Sequence, residues 1–319
     1  MPTDNVERAA RLASFDLGTN TFLLLIAEIK DGQIMPIDER ETIVRLGKGV
    51  DAAGNLNEEA MQRGLECLQE YRRLTVEHQC EKIVAVGTSA LRQAANRQEF
   101  LQRAQRETGV AIHVISGETE ARLTYLGALS NKQDLAEPVA IIDIGGGSTE
   151  VVIGTLDELE QAQSLEIGSV RLTERFLLSD PPAAEETAAV RRHAEAMMQQ
   201  SWAGQDFYKV RSLVGTAGTI TTLAAMAQKM RDYDPAQIDR FLLTKKTLRS
   251  LAAELAALTL AERKRLPGLP PARADVILAG ALILETFMDL YDFDEIIVSH
   301  RGLRHGVLLG EDVILEAQV

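Results

Sequence analysis

Apolar segments of strand length alternate with segments of helical spacing along the first part of the chain. An apolar run over residues 12–17 predicts a buried strand, and a second over 22–29 ends at Asp31 and Gly32, a pair typical of hairpin turns. Helical spacing begins at Asn57, a favourable N-cap. The full set predicted for this part is strands over 12–17, 22–29, 34–44, 82–87 and 111–115, with helices over 57–77, after residue 87 and from about Gly117.

The same order of elements begins again near residue 138. Strands are predicted over 138–144 and 149–153, separated by a glycine-rich turn. A rigid turn of prolines and glycine over 266–271 precedes a long apolar helix over about 272–290. The remaining predictions are strands over 164–167, 212–214 and 295–298, a helix opening at about Ile220, and a final helix.

The repeated order corresponds to an internal duplication. The segment FDLGTNTFLLLIA, residues 15–27, aligns without gaps to IDIGGGSTEVVIG, residues 142–154, at an offset of 143 − 16 = 127 residues. In each copy a strand ends in Asp-apolar-Gly, a small polar loop follows, and a second apolar strand begins at once. Two copies of one such unit predict an α/β fold of two related domains that face each other across a cleft.

Composition narrows the possible functions. The 319 residues suffice for two domains with cores of their own. A formal net charge of −13 disfavours a nucleic-acid binder, which usually carries a basic surface. No apolar run is long enough for a membrane span and no signal peptide is evident, so we expect no membrane partner and a cytoplasmic location. The 2 cysteines, Cys67 and Cys80, have no metal-ligand spacing and are expected to be reduced packing residues.

Three small-residue loops are candidate phosphate sites, because glycine allows backbone N–H groups to converge on an anion. The second loop lacks the G-x-G-x-x-G pattern that opens a helix, which disfavours dinucleotide binding. The third loop precedes a helix, where negative charge is favoured, although a simple helix cap is an alternative. The candidates are Asp16, Gly18, Thr19 and Asn20 in the first loop, Gly145, Gly146, Gly147, Ser148 and Thr149 in the second, and Gly215, Thr216, Ala217, Gly218 and Thr219 in the third.

Carboxylates beside these loops are candidates for metal binding and for acid–base chemistry. Asp16 and Asp143 each lie at a strand end, where an Asp either holds Mg²⁺ through oxygen or caps its own turn. Glu150 follows the second loop and could face the metal ion. Glu120, near a predicted helix N-terminus, could orient a water molecule, and Arg92 could bind phosphate oxygens unless it is a solvated helix residue. No Ser-His-Asp or Cys-His pattern is evident, which favours direct attack by water.

Six segments in order resemble the exopolyphosphatase and guanosine pentaphosphatase family, Ppx/GppA, of the actin-like superfamily. They are FDLGTNTF, VGTSALRQA, ISGETEARL, IDIGGGSTEVVIG, VGTAGTITTLAA and SHRGLRHGVLL. The resemblance implies duplicated actin-like (ribonuclease H-like) domains with an interdomain cleft, and Mg²⁺-dependent release of orthophosphate from the ends of inorganic polyphosphate. It places the catalytic Glu at Glu120, the conserved Arg at Arg92, and the metal site near Asp143 and Glu150. It further implies a homodimer.

The resemblance predicts domain I over residues 1–128 and domain II over 129–302, with the final helix over about 303–319 packing back on domain I. The sequence resembles a short form of the family without the C-terminal HD-like region. His300 and His305 occupy positions where members often carry Asp and Glu, and we expect both at an exposed helix end without a function.

Two other functions stay open at this point. The substrate could be the 5′-phosphate of guanosine pentaphosphate, which requires the same chemistry. A non-hydrolytic ATP-binding switch or kinase with the same fold is a third possibility, although a kinase usually uses an Asp base, and here the candidate is the Glu of ETEAR.

Overall fold

The chain folds around two sheets whose strands follow one plan. The computed structural model describes residues 10–131, 134–202 and 207–316. The first sheet has the order β3-β2-β1-β4-β5, and the second has the order β10-β11-β9-β6-β7-β8. The strands are β1 (Arg11–Leu17), β2 (Thr21–Lys30), β3 (Gln33–Ile43), β4 (Lys82–Gly87), β5 (Ile112–Val114), β6 (Val139–Ile144), β7 (Thr149–Gly154), β8 (Leu159–Leu165), β9 (Ser212–Thr216), β10 (Leu242–Thr244) and β11 (Glu295–Val298).

Strand pairing confirms the duplication. In both sheets the first two strands form an antiparallel hairpin, and the first strand pairs on its other side with a parallel strand, β4 or β9. Asp16 pairs with Leu23 in the first hairpin, and Asp143 pairs with Glu150 in the second. Both pairs are related by the 127-residue offset, since 16 + 127 = 143 and 23 + 127 = 150. The expected α/β fold with a duplicated hairpin unit, one in each sheet, is therefore present.

Fourteen helices in the described part of the chain cover the sheets and connect their strands. They are α1 (Val50–Ala53), α2 (Glu58–Glu77), α3 (Ser89–Gln93), α4 (Arg97–Thr108), α5 (Gly117–Ala128), α6 (Ser169–Phe176), α7 (Ala184–Ser201), α8 (Ala217–Ala227), α9 (Pro235–Ile238), α10 (Lys245–Ala257), α11 (Leu260–Arg263), α12 (Ile277–Leu290), α13 (Leu303–Leu309) and α14 (Glu311–Glu316). Asn57 caps α2 as predicted, accepting a hydrogen bond from the backbone N–H of Ala60. No helix among these is long and apolar enough to cross a membrane.

Each sheet has a separate apolar core. The first core packs β1 and β2 against α2, with Phe15 and Tyr71 in an edge-to-face contact. The second core surrounds α12, whose residues 277–288 are all buried, as its mostly apolar sequence requires, and its Glu285 pairs with Arg191. Trp202 and Phe287 meet edge to face at one end of that core.

The starts of three elements differ clearly from the sequence prediction, and one strand was not predicted. The strand expected over 164–167 is β8, which begins earlier, at Leu159. Its start was missed because β8 is an edge strand whose polar residues hide the period-two pattern. The helix expected at Ile220 begins at Ala217. Gly218 and Thr219 in its first turn are weak helix formers, so tertiary contacts decide where this helix begins. The helix expected at Ala272 begins at Ile277, because Pro271 opens a short 3₁₀ turn. The three-residue strand β10 was not predicted.

Helix α5 joins the two halves. One face, with Ala121 and Tyr125, packs against the second sheet, whereas Leu123 packs against β4 and α13. Helix α13 in turn contacts α5, β1, β2 and β4. We therefore propose that the domain boundary lies near residue 128 and that the last helices belong to domain I.

Gly306 allows α13 to cross α5 at close range. A Cβ atom at this position would overlap with the backbone carbonyl of Leu123, and Gly127 makes the reciprocal approach to Gly302. Because the obstacle is backbone, a side chain could be accommodated only if the helices separated.

We predict that Gly306→Ala lowers the free energy of unfolding by about 3 kcal/mol, because α13 must move off α5. Denaturant unfolding followed by circular dichroism measures this loss. Gly64→Ala is the comparison, since its Cβ would meet side-chain rings, Phe100 at 3.0 Å and Phe22 at 3.5 Å, and a ring can shift. An equal loss in the two variants would contradict the crossing argument.

Candidate active site

The three predicted loops open into one cleft between the sheets. The cleft has a volume of about 430 Å³. The first loop (residues 16–20) follows β1, the second loop (145–149) follows β6, and the third loop (215–219) spans the end of β9 and the start of α8. Ligand sites in α/β folds lie at such carboxyl ends of strands. The predicted residues that line the cleft are Asp16, Gly18, Thr19, Asn20, Glu120, Asp143, Gly145, Gly146, Thr216, Ala217, Gly218 and Thr219.

The first and second loops touch each other. A Cβ atom at Gly146 would lie 3.1 Å from Cβ of Thr19 and 3.2 Å from the backbone nitrogen of Asn20. At Gly147 it would lie 2.7 Å from Oγ1 of Thr19. Side chains at these two positions would push the loops apart, so the glycines permit the contact. The Nδ2 atom of Asn20 is buried without a hydrogen-bond partner in the described residues, so it is available to donate to a bound anion.

The third loop has a strained start. Ala217 has a φ of 68°, a left-handed value that costs a non-glycine residue roughly 1–3 kcal/mol. A Cβ at the following Gly218 would overlap the guanidinium of Arg273, which therefore passes directly over the loop. Arg273 also donates to Oε1 of Glu41 at 2.7 Å, so it bridges the third loop to strand β3 across the cleft.

Four buried carboxylates lie in or beside the cleft: Asp16, Glu120 and Asp143 line it, and Glu150 lies behind them, opposite Asp143 in the hairpin. Burial, and then the charge of Glu120, raises the pKa of Asp143 to about 7. Burial, followed by the charges of Glu120 and Asp143, raises the pKa of Asp16 and of Glu150 well above the usual range. A cluster of like charges out of water is costly, and such clusters are typical of catalytic or ion-binding sites.

Arg92 holds the candidate catalytic carboxylate. Its Nη1 donates to Oε2 of Glu120 at 2.5 Å and to the carbonyl of Ile115 at 3.2 Å. Its Nη2 lies 3.5 Å from Oγ of Ser148, in the second loop. Burial raises the pKa of Glu120, and the charge of Arg92 partly offsets this effect. Arg92 thus fixes the orientation of Glu120 from behind, and it does not line the cleft itself.

Asp143 and Glu150 could share a divalent cation. The Oε1 atom of Glu150 accepts from Oγ of Ser164 at 2.6 Å, while its Oε2 is buried without a partner among the described residues. Within those residues, no three His, Cys, Asp or Glu side chains form a ready-made metal cluster. Mg²⁺ commonly takes one or two carboxylates and completes its shell with water and substrate phosphate. The unpartnered oxygen and the raised pKa values fit such a site.

Several predicted residues lie beside the cleft without lining it: Arg92, Gly147, Ser148, Thr149, Glu150 and Gly215. The hydroxyl of Thr149 donates to the carbonyl of Ile167 at 2.6 Å, which anchors the end of the second loop. A Cβ at Gly215 would press on Ile220 at 2.9 Å, so this glycine is required for packing. Both residues support the loops from within the fold.

The expectation for the two late histidines is wrong. His305 is buried and only 1% exposed, because α13 packs between α5 and the first sheet. His300 lines the cleft, and its Nε2 lies 3.0 Å from Oε2 of Glu39. The expectation placed both at a free helix end, and the packing of α13 could not be seen from local sequence.

Sequence reasoning also missed the outer wall of the cleft. This wall, here called the Tyr233 wall, contains Glu39, Tyr233, His300 and Arg304. Tyr233 Oη lies 3.3 Å from Nδ1 of His300, and Arg304 pairs with Glu39. Glu39 and Tyr233 are far in the chain from His300 and Arg304, so the only local signal was the SHRGLRHG segment that holds the latter two.

Proteins of one known family resemble this chain in both sequence and structure. The model of the Ppx/GppA phosphatase family matches residues 25–313. Exopolyphosphatase 2 of Mycobacterium tuberculosis is 36% identical over 312 residues, covering 94% of this chain and 98% of that protein. A crystal structure of the Ppx/GppA family member of Aquifex aeolicus has a TM-score of 0.80 and 37% identity, covering 96% and 98% of the two chains. An exopolyphosphatase from Cytophaga hutchinsonii has a TM-score of 0.87 and 30% identity, with the same coverage.

The raised pKa of Asp143 predicts a pH-dependent stability difference for Asp143→Asn in the presence of a chelator. The folded pKa of about 7 exceeds the ordinary aspartate pKa of 3.8, so the folded state holds the proton more tightly than the unfolded state. The carboxyl therefore destabilises the fold increasingly as pH rises from about 4 to about 7. The Asn variant should gain on the order of 2–4 kcal/mol over this range, with no further gain above it.

Urea unfolding in EDTA at several pH values measures this difference. Asp157→Asn, which changes an exposed loop residue, is the control and should show no comparable trend. A stability difference for Asp143→Asn that does not change between pH 4 and pH 8 would contradict the assigned environment.

Proposed function

We propose that this chain, which belongs to the Ppx/GppA phosphatase family, is an exopolyphosphatase that releases orthophosphate from the end of inorganic polyphosphate. The observation that carries the proposal is the contact of the first and second loops beside Glu120. Two sets of converging N–H groups next to a buried carboxylate suit a terminal phosphate and its attacking water.

Binding of the terminal phosphates is assigned to the loops. Backbone N–H groups of the first and second loops, with Nδ2 of Asn20, donate to the phosphate oxygens. The third loop adds the hydroxyl of Thr219 and the N-terminus of α8, whereas the hydroxyl of Thr216 donates to the carbonyl of Arg301. Because the transferred phosphoryl group needs little covalent help, positioning and charge stabilisation supply most of the catalysis.

Glu120 is assigned as the general base. Its buried carboxylate takes a proton from water while the water oxygen bonds to the terminal phosphorus and the phosphoanhydride P–O bond breaks. Orthophosphate and a chain shorter by one phosphate result. The raised pKa of Glu120 makes the carboxylate a stronger base near neutral pH. Arg92 keeps it aimed at the water through the bond to Oε2.

A divalent cation such as Mg²⁺ belongs to the same proposal. Asp143 and Glu150 would hold it, since both carboxylates are buried and one oxygen of Glu150 lacks a partner in the described residues. When bound, the ion supplies positive charge against the phosphate oxygens. A homodimer and a cytoplasmic location, which the family resemblance implies, also remain proposals.

Glu120→Gln should lower kcat by about 10²- to 10⁴-fold and leave polyphosphate binding nearly unchanged, because the amide cannot accept the proton. Colorimetric phosphate release and calorimetric binding, both with Mg²⁺, measure the two effects. Glu118→Gln is the matched control: it lies in the same helical turn but is exposed and paired with Arg122. Turnover unchanged in Glu120→Gln would refute the base assignment.

A second candidate function is removal of the 5′-phosphate from guanosine pentaphosphate. The cleft of about 430 Å³ falls in the range of sites for small organic molecules, about 300–1,000 Å³. Its outer part is formed by the Tyr233 wall, where the half-exposed Tyr233 ring offers a flat surface and Glu39 an acceptor. These groups suit a nucleoside better than a polyanion, because Arg304 and His300 already contact Glu39 and leave little positive charge for phosphate.

Tyr233→Ala separates the two substrates. If the wall binds a nucleoside, kcat/KM for guanosine pentaphosphate should fall by about tenfold, since a lost stacking contact costs about 1–3 kcal/mol. The value for polyphosphate should change less than threefold. Parallel phosphate-release assays of wild type and variant on both substrates measure this. Equal losses on both would contradict a nucleoside role for the wall.

A kinase or ATP-binding switch predicts a different result in the same assay. A kinase needs an acceptor molecule, whereas water suffices for a phosphohydrolase. Phosphate release from polyphosphate without any added acceptor therefore separates these classes.

A further inference from the structure

The first loop is held from behind by a segment that follows strand β3. The carbonyl of Asn20 accepts backbone hydrogen bonds from Val44 at 3.0 Å and Arg45 at 2.8 Å. The carbonyl of Thr19 accepts from the N–H of Gly47 at 2.9 Å. We call residues 44–51 the first brace. Because these carbonyl oxygens accept hydrogen bonds from the first brace, they point away from the phosphate site and do not repel a phosphate there.

The second loop is held in the same way from the other half. The carbonyls of Gly145 and Gly146 accept from backbone N–H groups at the start of α6, at 2.9 to 3.2 Å. The carbonyl of Gly147 accepts instead from a side chain, Nε of Arg171, at 2.8 Å. We call residues 168–175 the second brace. The side chain of Arg171 thus binds the one of these three carbonyls, that of Gly147, to which the backbone of α6 does not donate.

The two braces meet each other across the two halves of the molecule. Arg171 contacts the carboxylate of Asp51 in α1, and Nη2 of Arg175 donates to the same carboxylate at 2.7 Å. The backbone N–H of Gly49 donates to Glu174 at 3.0 Å. The hydrogen bond from Arg175, and then the charge of Arg171, lowers the pKa of Asp51 against the effect of burial.

The guanidinium of Arg171 serves three different segments at once. It donates to Gly147 through Nε, to Asp51 through Nη1 and to Oε2 of Glu166 through Nη2 at 2.6 Å. It is buried, with 7% of its surface exposed. A buried charge of this kind adds little net stability but defines geometry, and only the planar fork of arginine presents donors in these fixed directions.

We propose that Arg171 is a positioning residue for phosphate hydrolysis, which couples the closure of the two halves, through Asp51, to the alignment of the second loop. The inference rests on the proposed function in that the second loop binds phosphate. Arg171 touches neither substrate nor reacting atoms. It acts through the carbonyl of Gly147, and its effect is greatest in the transition state, where alignment matters most.

Two charge-conserving variants test the proposal. Arg171→Lys keeps a cation near Asp51 but loses the bond to Gly147. Arg175→Lys is the matched control, because Arg175 shares the Asp51 carboxylate, and its side-chain hydrogen bonds go to that carboxylate and not to the second loop. We expect kcat for polyphosphate to fall by about 10- to 100-fold in Arg171→Lys, with KM changed less than threefold, and both values to stay within threefold in Arg175→Lys.

Hydrogen exchange supplies a readout that does not depend on activity. The N–H groups of residues 169–171 are bonded to the second loop, so they should exchange at least about tenfold faster in Arg171→Lys than in wild type or Arg175→Lys. Asp51→Asn, a milder change at the edge of the contact, should shift kcat and exchange in the same direction, and serves if Arg171→Lys does not fold.

The outcomes are distinct. Equal effects in the two arginine variants, or unchanged exchange and kcat in Arg171→Lys, would overturn the positioning role. A wild-type protein that releases no phosphate from either substrate would overturn the proposed function and the catalytic part of this inference. The exchange comparison would still decide whether Arg171 holds the loop.

Discussion

The site depends on the burial of four carboxylates between two halves of one fold. Asp16 and Asp143 occupy equivalent places because the chain repeats one hairpin, and the repeat directs both toward the same cleft. Glu120 and Glu150 add two more acids, and the pKa of all four is raised. Repulsion among these acids opposes the close approach of the two halves, so the surrounding contacts must hold the halves together. Ion pairs across the cleft, such as Arg273 with Glu41 and Arg45 with Asp275, do so.

The duplicated hairpins have diverged in their side chains while their backbones stayed alike. Position 23 is Leu in the first hairpin, but the equivalent position 150 is Glu in the second. Likewise Thr19 and Asn20 supply polar side chains in the first loop, where the second loop has Gly146 and Gly147. This asymmetry is what lets the loops touch, because two side-chain-bearing loops would collide. At these loops the first half therefore brings polar side chains, and the second half brings the glycines that let those side chains approach.

Much of this could be predicted from sequence, since the strands and loops are encoded locally. The hairpins, the strand-end Asp residues and Asn57 as a cap follow from patterns within about ten residues. The Tyr233 wall, the burial of His305 and the bridge from Arg273 to Glu41 could not be predicted in this way. Each depends on segments more than 60 residues apart, which only the packing of the two halves brings together. The late start of α12 shows the same limit, because Pro271 is compatible with both a helix start and a 3₁₀ turn.

The charges of the cleft explain how so acidic a chain could hold a polyanion. Each arginine among the residues that line the cleft already pairs with a carboxylate: Arg40 with Asp38, Arg273 with Glu41 and Arg304 with Glu39. These side chains therefore neutralise acids and leave little net positive charge for phosphate. Attraction must come from uncharged donors, the loop N–H groups and Asn20, which keep their partial charge at any pH. Beside four buried acids such donors face repulsion of the phosphate, which supports the proposal that a divalent cation near Asp143 and Glu150 takes part in binding.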